Sequence, residues 1–526
     1  MSASPKLNLG ATRRTVLAGL LAAGDRFGAD KIAIIDGDEK SYSYAQLIRA
    51  GFALGSALKR STERHANVGV LLPTGIAPVI AFFALHCAGR VPAMLNFTSG
   101  AKSLISACTT AKIATVVTAR KFIEVAGLAS LIEAMSGSVK FVYLEDLRAG
   151  LKLIDKLRAA IGPFLPWLFR AHSDPDAPAV ILFTSGTEGE PKGVVLSHAA
   201  LLANVEQVRT HIELYPSDIV FNPLPTFHCF GLTVGALMPL MLGLKSVQHP
   251  TPLQARAIAK RVRHTGATIL LATDTFLSQY ARAGDQGDLN SLRLAVCGAE
   301  RVRDETRQIV RRKYNIEILE GYGVTETAPV AAANQPGANR SGTVGRLVAG
   351  MEARLEPVEG IEGGRLFLRG PNVMLGYLSP DEPGVIKRLV DGWHDTGDVV
   401  SIDDEGFITI RGRMKRFAKI GGEMVSLAVV ENCASALWPD NMHAAVAMPD
   451  GRKGEQIVML TDCADANRSD LIGWARNHGV SELAVPRKII SVAAIPLLGT
   501  GKTDYTKVIA EVTSRLAETT GSAEAS

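Results

Sequence analysis

Residues 180–195 read VILFTSGTEGEPKGVV, and this stretch decides how the fold is interpreted. An apolar, β-branched run leads into a segment rich in hydroxyl groups and glycine, and a second apolar run follows Lys192. Glycine lets the backbone approach a ligand closely, and successive N–H groups in such a turn form an anion-binding nest. The lysine adds a positive point charge. The stretch predicts a polyphosphate-binding loop whose candidate residues are Thr184, Ser185, Gly186, Thr187 and Lys192.

Two common nucleotide-binding motifs do not fit this loop. A Walker A motif requires a glycine five positions before the glycine of the GK[ST] triplet. The triplet at 501–503 has Pro496 at that position, and residues 180–195 contain no such triplet. A Rossmann fingerprint fails because Gly321 and Gly323 are followed by Glu326 where the third glycine is required. A P-loop ATPase and a Rossmann dehydrogenase are both disfavoured.

Outward from the loop, short apolar runs alternate with helical patterns through the first four hundred residues. Strands are predicted at 68–72, 115–118, 141–144 and 268–271, and residues 76–88 are predicted to form a buried helix. This alternation is typical of parallel sheets covered by helices. We therefore expect an α/β protein, and a length of 526 residues requires at least two domains.

A second cluster, ILEGYGVTETAPV at 318–330, follows another strand-like run. The ring of Tyr322 is suited to stacking on a purine. Thr325 and Glu326, next to a phosphate loop, are suited to holding phosphate oxygen and Mg²⁺, because Mg²⁺ prefers carboxylate and phosphate oxygens. Taken alone, the cluster is equally typical of a β-turn.

Three more clusters complete the pattern. WHDTGD at 393–398 places Asp398 where a carboxylate can accept hydrogen bonds from ribose hydroxyls. RGRMKRFAKIGGEMVS at 411–426 joins a basic run to two glycines, and PLLGTGKTDY at 496–505 places a lysine between glycines. Each of these, by itself, also fits a solvated surface turn.

Composition excludes several other classes of protein. Hydrophobic residues make up 47% and charged residues 21%, which argues against a disordered chain. The net charge of +5 is small for this length, so no nucleic-acid partner is expected. The six cysteines contain no C-x-x-C pair, which disfavours a zinc site and fits reduced thiols. The apolar runs at 16–23 and 79–95 are too short or too interrupted to span a membrane, and we expect a cytoplasmic protein.

Residues 151–172, LKLIDKLRAAIGPFLPWLFRAH, differ from their surroundings. Basic side chains stand among large apolar and aromatic ones, a composition found in segments that lie on anionic membrane surfaces. A helix packed on the protein body explains the same pattern. Peripheral contact with the inner face of a membrane through this segment therefore stays an open alternative.

The five clusters, in this order and spacing, resemble the adenylate-forming superfamily of acyl-CoA synthetases, peptide-synthetase adenylation domains and luciferases. The resemblance covers residues 10–512. Within the superfamily the chain is most similar to acyl-acyl-carrier-protein synthetases, including the synthetase half of 2-acylglycerophosphoethanolamine acyltransferases. The stretches that carry this resemblance are LLANVEQ (201–207), PLPTFHCFGLTVG (223–235), KRFAKIGGEMVSL (415–427), HGVSELAVPRKI (478–489) and PLLGTGKTDY. No histidine begins an H-x-x-x-x-D acyltransferase signature, so that second activity is not expected.

The resemblance implies a large N-terminal domain of helix-covered β-sheets and a small α+β C-terminal lid. We place the large domain at 1–411, the hinge at 412–416, the lid at 417–517 and a disordered tail at 518–526. The hinge residue of the family corresponds to Lys415. Many relatives carry an acidic residue at the next position, where this chain has Arg416.

The resemblance also assigns roles to residues. ATP and Mg²⁺ are implied, with Lys502 and Thr325 in catalysis and Glu326 both catalytic and metal-binding. The adenine slot is implied at Gly298, Ala299, Glu300, Gly321, Tyr322 and Gly323. The ribose contacts are implied at Asp398 and Arg413. The acyl and pantetheine contacts are implied at His228, Phe230, Gly231, Gly421 and Gly422. The apolar stretch 232–244 is the implied tunnel wall for the acyl chain.

Three functions remain open at this point. The first is a ligase that activates a long- or medium-chain fatty acid and transfers it to the phosphopantetheine thiol of holo-acyl carrier protein. The second uses CoA as the thiol acceptor. Acyl carrier protein is acidic, but residues 413–526 contain 13 basic and 13 acidic residues, so charge supports the first only weakly. The third, a non-catalytic lipid-binding relative, is disfavoured because the chain retains all of Lys192, Glu326, Asp398, Arg413 and Lys502.

Overall fold

The structure, a computed structural model, describes residues 7–172, 174–185, 190–359, 361–420, 423–450, 454–497 and 503–524, without the side chains of Ser185 and 517–524. Its internal contacts divide the chain into two compact units. The large unit comprises 1–352 and 369–394, and the small unit comprises 353–368 and 395–526. The predicted hinge at 412–416 lies inside the small unit and stays a prediction.

The strands of the described residues form four sheets. In chain order, their bounds are β1 (Ile32–Ile35), β2 (Ser41–Ser43), β3 (Asn67–Val70), β4 (Val91–Met94), β5 (Thr115–Thr118), β6 (Lys140–Tyr143), β7 (Pro178–Ser185), β8 (Pro191–Ser197), β9 (Ile219–Asn222), β10 (Lys245–Gln248), β11 (Ile269–Ala272), β12 (Leu294–Cys297), β13 (Glu317–Gly323), β14 (Val330–Ala333), β15 (Arg346–Leu347), β16 (Glu352–Pro357), β17 (Gly364–Arg369), β18 (Gly376–Leu378), β19 (Ile386–Arg388), β20 (His394–Ile402), β21 (Ile408–Arg413), β22 (Phe417–Ile420), β23 (Glu423–Ser426), β24 (His443–Asp450), β25 (Gly454–Thr461) and β26 (Lys488–Ser491).

The helices lie between these strands. Their bounds are α1 (Val16–Phe27), α2 (Tyr44–Ser61), α3 (Ile76–Ala88), α4 (Ala101–Thr110), α5 (Arg120–Val125), α6 (Ala129–Met135), α7 (Leu144–Ala149), α8 (Leu153–Ile161), α9 (Pro166–Phe169), α10 (His198–His211), α11 (Met238–Leu242), α12 (Ala255–Thr265), α13 (Asp274–Ala283), α14 (Asp304–Tyr314), α15 (Leu427–Leu437), α16 (Arg468–Asn477) and α17 (Tyr505–Glu524). A π-helix at Phe230–Leu237 precedes α11, and a 3₁₀ turn at Thr325–Thr327 follows β13.

The large unit contains the two largest sheets. One has the order β15-β14-β13-β12-β11-β9-β10-β1-β2, with parallel pairing from β13 to β1, and the other has the order β19-β18-β8-β7-β4-β3-β5-β6. Apolar side chains are buried on both faces of the parallel strands, as helix-covered sheets require. The predicted α/β fold with a large sheet-containing domain is confirmed.

The small unit contains the other two sheets. Strands β16-β17-β20-β21 form one, and β23-β22-β25-β24 form the second, with β26 parallel to β25. Helices α15 and α16 contribute Val430 and Leu471 to a core against β22 and β25. This is the expected α+β composition of the C-terminal part of the chain.

The four strands and the helix predicted above all lie within one or two residues of β3, β5, β6, β11 and α3. Helix α1 begins at Val16, because the side chain of Thr15 accepts the N-cap bond from the backbone N–H of Ala18. Helix α17 continues to Glu524 and includes most of the predicted tail at 518–526. The alanine and glutamate residues of this segment have a high intrinsic preference for helix. The prediction of a disordered tail considered only that the residues are small and polar.

None of the helices within the described residues is long and apolar enough to cross a membrane. The six cysteines are free thiols and all are buried. Burial raises the pKa of Cys87 and Cys108 to about 12, so both side chains stay protonated and unreactive near neutral pH. The cysteines are packing residues, in agreement with their scattered positions in the sequence.

Candidate nucleotide and acyl site

The predicted phosphate loop is the connection of the β7–β8 hairpin. Thr184 pairs with Lys192 and Ser185 pairs with Pro191 in antiparallel register. The ends of the loop are therefore held by the eight-stranded sheet. Gly186 and Thr187 lie outside the described residues.

The turn that carries Glu326 faces this hairpin. The hydroxyl group of Tyr377, on β18, donates a hydrogen bond of 2.6 Å to Oε1 of Glu326. The ammonium nitrogen of Lys192 lies 5.9 Å from the centroid of the same tyrosine ring. The backbone carbonyl of Glu326 also accepts a bond of 2.8 Å from the N–H of Met374. Tyr377 thus links the lysine of the phosphate loop to the predicted metal-binding carboxylate.

The backbone before Glu326 has no room for a side chain at Gly323. A Cβ atom there would lie 2.1 Å from the carbonyl oxygen of Pro329, far below van der Waals contact. Thr325 begins the 3₁₀ turn and is half-buried. A glycine at 323 is therefore needed to let β13 pass beside the chain that enters β14.

A buried polar network holds the same turn from behind. On α10, the side-chain amide of Asn204 pairs with both backbone groups of Val330, and Gln207 donates to Oδ1 of Asn372 at 3.1 Å. The amide of Asn372 in turn donates to the carbonyl oxygen of Thr327. All three amide side chains have 0% exposure, so their hydrogen bonds have no water to replace them. The motif LLANVEQ positions the Glu326 turn.

Gln207→Leu is expected to lower the free energy of unfolding of the large unit by about 1–3 kcal/mol. The substitution leaves the carbonyl oxygen of Ala349 and Oδ1 of Asn372 buried without their donor. The midpoint of thermal unfolding measures the effect. Gln308→Leu, at an exposed position of α14, is the matched control and should change the midpoint little. Equal shifts for both variants would contradict a structural role for the network.

The predicted adenine-binding segments meet at the carboxyl ends of β12 and β13. Cys297 pairs with Glu320 in parallel register, so Gly298–Glu300, which follow β12, begin beside Gly321–Gly323, the last residues of β13, which pair with β14. Ala299 has a φ of +70°, a conformation that costs energy for a residue with a side chain. Crevices outside the carboxyl ends of parallel strands are common ligand sites. The structure brings both predicted segments together.

Two carboxylates near these segments have structural partners. Oε2 of Glu300 accepts hydrogen bonds from the backbone N–H and the hydroxyl of Thr275, at 3.1 and 2.9 Å. Glu320 accepts from the N–H of Val302 at 2.7 Å and from the guanidinium of Arg307. Burial raises the pKa of Glu320, and Arg307 opposes this rise. The carboxylate of Glu300 therefore holds its loop against α13, a structural role in addition to the predicted adenine contact.

The predicted acyl segment lies beside the nucleotide segments. The ring of Phe230 comes within 3.3 Å of the position a Cβ atom would take at Gly298. Burial raises the pKa of the Cys229 thiol to about 12, and the nearby negative charge of Glu326 contributes to the rise. The ring of His228 lies 4.7 Å from that of Phe227. The contact of Phe230 places this segment beside the Gly298 loop, and the charge of Glu326 acts on Cys229 of the same segment.

The π-helix after Phe230 packs against β9 too closely for larger residues. A Cβ atom at Gly231 would lie 2.3 Å from the carbonyl oxygen of Pro225, and one at Gly235 would lie 2.3 Å from the side chain of Asn222. Such helices often occur at functional sites. Most side chains of the predicted tunnel wall, 232–244, are buried.

In the small unit, the predicted ribose-binding pair is formed. Asp398 of β20 and Arg413 of β21 are cross-strand partners, and Nε of Arg413 donates to Oδ1 of Asp398 at 2.9 Å. The aspartate side chain is buried, whereas that of the arginine is 65% exposed. The exposed arginine keeps donors available beyond the ion pair.

The predicted hinge residue, Lys415, lies in a 3₁₀ turn at Met414–Arg416. The neighbouring Arg416 donates to Glu431 of α15 at 2.8 Å and stacks 3.6 Å from the ring centroid of Tyr505. Tyr505 also donates to Glu431, at 2.9 Å. Many relatives have an acidic residue at position 416. Here the positive charge of Arg416 is balanced by the carboxylate of Glu431 from α15.

Three predicted residues of the small unit, Gly421, Gly422 and Lys502, lie outside the described residues. The chain on either side of Lys502 is held together, because Leu497 and Thr503 form an isolated antiparallel bridge. Lys419, two residues before Gly421, donates its backbone N–H to Glu455.

The large unit has two helix-covered sheets, which carry the hairpin, the Glu326 turn and the Gly298 loop. Together with a smaller α+β unit, this is the adenylate-forming enzyme fold. The profile of the family described as AMP-binding enzyme matches residues 21–378, and the chain belongs to this family.

The chain is 27% identical to the medium-chain fatty-acid–CoA ligase of Escherichia coli strain K12, over 90% of this chain and 86% of that protein. It is 30% identical to the long-chain-fatty-acid–CoA ligase of Salmonella typhimurium strain LT2, over 62% and 60%. The crystal structure of the anthranilate CoA ligase AuaEII with anthranoyl-AMP superposes with a TM-score of 0.79 at 21% identity, covering 96% of this chain and 98% of that one. The adenylate-forming superfamily is confirmed, whereas the particular similarity to acyl-carrier-protein synthetases stays a prediction.

Tyr377 and Asn372 are the residues of this site that the sequence reasoning missed. Each lies in or before β18, about 45–51 positions from the partner that it contacts in the Glu326 turn. The sequence PNVMLGYLS around them has no glycine-rich or charged pattern that indicates a site. Only the pairing of β18 with β8 brings Tyr377 beside the phosphate hairpin.

Proposed function

We propose that this protein is an ATP-dependent fatty acid ligase that forms acyl-AMP and then an acyl-CoA thioester. The observation that supports it most is the convergence of Lys192, Glu326 and the segment 228–230 in a chain similar to a fatty-acid–CoA ligase over nine-tenths of its length. A phosphate-binding lysine, a carboxylate and an apolar entry beside them are what the joining of a fatty acid to ATP requires.

In the first step, an oxygen of the fatty-acid carboxylate bonds to the α-phosphorus, and the bond from this phosphorus to the bridging oxygen breaks to release pyrophosphate. The carboxylate and the triphosphate repel each other, so positioning and charge neutralisation dominate the catalysis. Lys192 and the hairpin loop bind the β- and γ-phosphates, and Thr325 contacts the α-phosphate. Tyr322 and the Gly298 loop hold adenine, Asp398 and Arg413 hold the ribose, and Lys502 stabilises charge at the reacting oxygens.

The carboxylate of Glu326 fits a site for Mg²⁺. Its Oε1 is fixed by the Tyr377 hydroxyl, and that bond does not use Oε2. No group of three or more histidine, cysteine or acidic residues within the described ranges is arranged to hold a metal ion. One carboxylate combined with substrate phosphates is the usual arrangement for Mg²⁺ in nucleotide sites. When bound, the ion supplies neutralisation of phosphate charge.

In the second step, a thiol sulfur attacks the acyl carbonyl carbon, AMP leaves with the electron pair, and the thiol proton passes to solvent. The loop that contains Gly421 and Gly422 replaces the Lys502 loop near the acyl-AMP, as expected for a lid that rotates between steps. The hinge for this rotation is Lys415. His228 and Phe230 border the acyl group, and Gly231 keeps the π-helix close to the segment Leu224–Pro225 that follows β9.

The thiol acceptor is proposed to be CoA, because both fatty-acid ligases described above use CoA. Holo-acyl carrier protein is the alternative that the motifs at 415–427 and 478–489 suggest. The neutral charge balance of residues 413–526 gives an acidic carrier protein no general attraction. The reaction as proposed requires no membrane, and a cytoplasmic location is consistent with it.

A single experiment decides between the acceptors. The purified protein receives ATP, Mg²⁺ and palmitate or octanoate, with either CoA or holo-acyl carrier protein, and each thioester is quantified by mass spectrometry. We expect the acyl-CoA thioester to form at least about tenfold faster than the thioester of acyl carrier protein, a difference of roughly 1.4 kcal/mol in transition-state free energy. If the thioester of acyl carrier protein were the only product, CoA would not be the acceptor and the assignment would be reversed. No pyrophosphate release with any fatty acid would instead favour the non-catalytic alternative.

A further inference from the structure

Helix α8, Leu153–Ile161, is attached to the protein through a charged residue. Asp155 has 0% exposure and accepts hydrogen bonds from both terminal nitrogens of Arg60 at 2.7 Å, from the Ser56 hydroxyl at 2.5 Å and from the N–H of Lys152 at 2.8 Å. A surface helix of a globular protein ordinarily packs its apolar side inward. Here the acidic side chain faces α2, and this attachment leaves the apolar positions outward.

The outward side of α8 is apolar. Leu153 is 74% exposed, Ile154 and Leu157 are each 46% exposed, and Ile161 is 39% exposed. These four residues lie at helical spacings of one, three and four positions. Since a stable surface helix in water gains nothing from exposing four large apolar side chains, the arrangement indicates a surface that is covered in use.

The apolar surface continues beyond the helix. Phe164, Trp167 and Leu168, in and before α9, are 72%, 65% and 62% exposed. Of the large hydrophobic residues exposed in the described part of the chain, seven of seventeen lie between 153 and 168. Such a concentration within sixteen residues differs from the scattered exposure of single apolar residues that soluble proteins commonly show.

Basic side chains lie beside this patch in the sequence. Of the four in residues 151–172, Lys152 and Lys156 are exposed and Arg170 is half-buried, whereas Arg158 donates to the Ser56 hydroxyl at 2.7 Å and faces α2; the one acidic residue is neutralised inside the protein by Arg60. Next to them, Lys59 donates to the carbonyl oxygen of Phe169 at 3.3 Å. Burial lowers the pKa of Lys59, and nearby arginines, Arg158 first among them, lower it further.

We propose that residues 151–172 form a docking surface for a lipid bilayer that contains anionic phospholipid. The side chains of Phe164, Trp167 and Leu168 enter the boundary between headgroups and acyl chains, and Lys152 and Lys156 contact the phosphate groups. Large apolar side chains flanked by lysine and arginine characterise interfacial helices, and tryptophan favours the membrane–water boundary. Membrane docking through this surface does not require the ligase reaction, so it can hold or fail independently of the proposed function.

The test uses the full chain and sedimentation with large vesicles of phosphatidylcholine, either pure or with about one-third phosphatidylglycerol. Wild-type protein is expected to sediment with the anionic vesicles and to bind the neutral ones at least about fivefold more weakly. The double variant Phe164→Glu/Trp167→Glu should lose roughly tenfold or more of its affinity for the anionic vesicles. The matched control, Val125→Glu/Val390→Glu, changes two side chains with 79% and 81% exposure elsewhere and should bind as wild type does.

A second pair of variants separates charge from apolar contact. Lys152→Gln/Lys156→Gln should weaken binding to anionic vesicles several-fold and reduce its dependence on salt, whereas Lys102→Gln/Lys260→Gln, exposed on α4 and α12, should not. All variants should keep the wild-type rate with a short, water-soluble fatty acid, because none of these residues lies in the candidate site.

Two results would overturn the proposal. One is wild-type protein that stays in solution with the anionic vesicles. The other is a dimer in vesicle-free solution that Phe164→Glu/Trp167→Glu converts to monomer without any change in vesicle binding, which would make the patch a contact between copies. Fluorescence gives an independent measurement: emission should shift to the blue on binding, and Trp167→Phe should remove the shift while the protein still sediments.

Discussion

Replacing Glu326 with glutamine is expected to lower the rate of acyl-AMP formation by about 10²–10³-fold. Glutamine keeps the size of the side chain, and its carbonyl oxygen can still accept the Tyr377 hydroxyl that now bonds to Oε1 at 2.6 Å. What is lost is the negative charge, and with it the proposed ligand for Mg²⁺ at the phosphates. Pyrophosphate release at saturating ATP and fatty acid measures the effect.

Tyr377→Phe is the matched variant for this experiment. It removes the hydrogen bond but keeps the carboxylate and the ring beside Lys192, so a smaller decrease of roughly tenfold is expected. The Mg²⁺ concentration needed for half-maximal rate should rise far more in Glu326→Gln than in Tyr377→Phe. A Glu326→Gln variant within about threefold of wild type would contradict a role for its charge in the chemistry.

The phosphate hairpin could be predicted from the sequence because its determinants are local. The apolar runs of β7 and β8 are separated by a short glycine-rich segment, a pattern that favours a hairpin between neighbouring strands. The register that pairs Thr184 with Lys192 follows from the length of that segment. The strand-like run at 318–320 likewise predicted β13, but the glycines after it continue the strand to Gly323, and the turn lies after them at Thr325–Thr327.

The support of the site could not be predicted, because it joins residues far apart in the chain. Asn204 contacts Val330 across 126 positions, and Gln207 contacts Asn372 across 165. A buried amide side chain has no sequence pattern of its own; α10 and the Glu326 turn become neighbours only when the two large sheets are assembled. The motif LLANVEQ pointed to the family, but its physical role needed the hydrogen bonds.

The exposed patch at 153–168 illustrates the same limit at the surface. Its amphipathic pattern fits a helix buried against the protein equally well, because periodicity does not say which side faces inward. The contacts of Asp155 with Arg60 and Ser56 decide this question. A single charged residue thus determines the orientation that the hydrophobic pattern leaves open.

Lys502→Ala is expected to lower acyl-AMP formation by about 10²–10³-fold and to leave thioester formation from supplied acyl-AMP nearly unchanged. The reason is that the lysine ammonium neutralises charge that develops when carboxylate and α-phosphate approach, whereas the thiol attacks an acyl group that is already activated. Pyrophosphate release measures the first half-reaction, and acyl-CoA formed from synthetic acyl-AMP measures the second.

The control is Lys488→Ala, which removes an exposed lysine from β26 of the same unit and should leave both half-reactions at the wild-type rate. Equal loss of both half-reactions in Lys502→Ala would contradict the division of work between two loops of the lid. Such a result would mean that Lys502 supports the small unit or the bound nucleotide throughout the cycle. A selective loss, by contrast, requires that the lysine be needed before the acyl-AMP forms and dispensable after it, which is the behaviour expected of a lid that rotates between the steps.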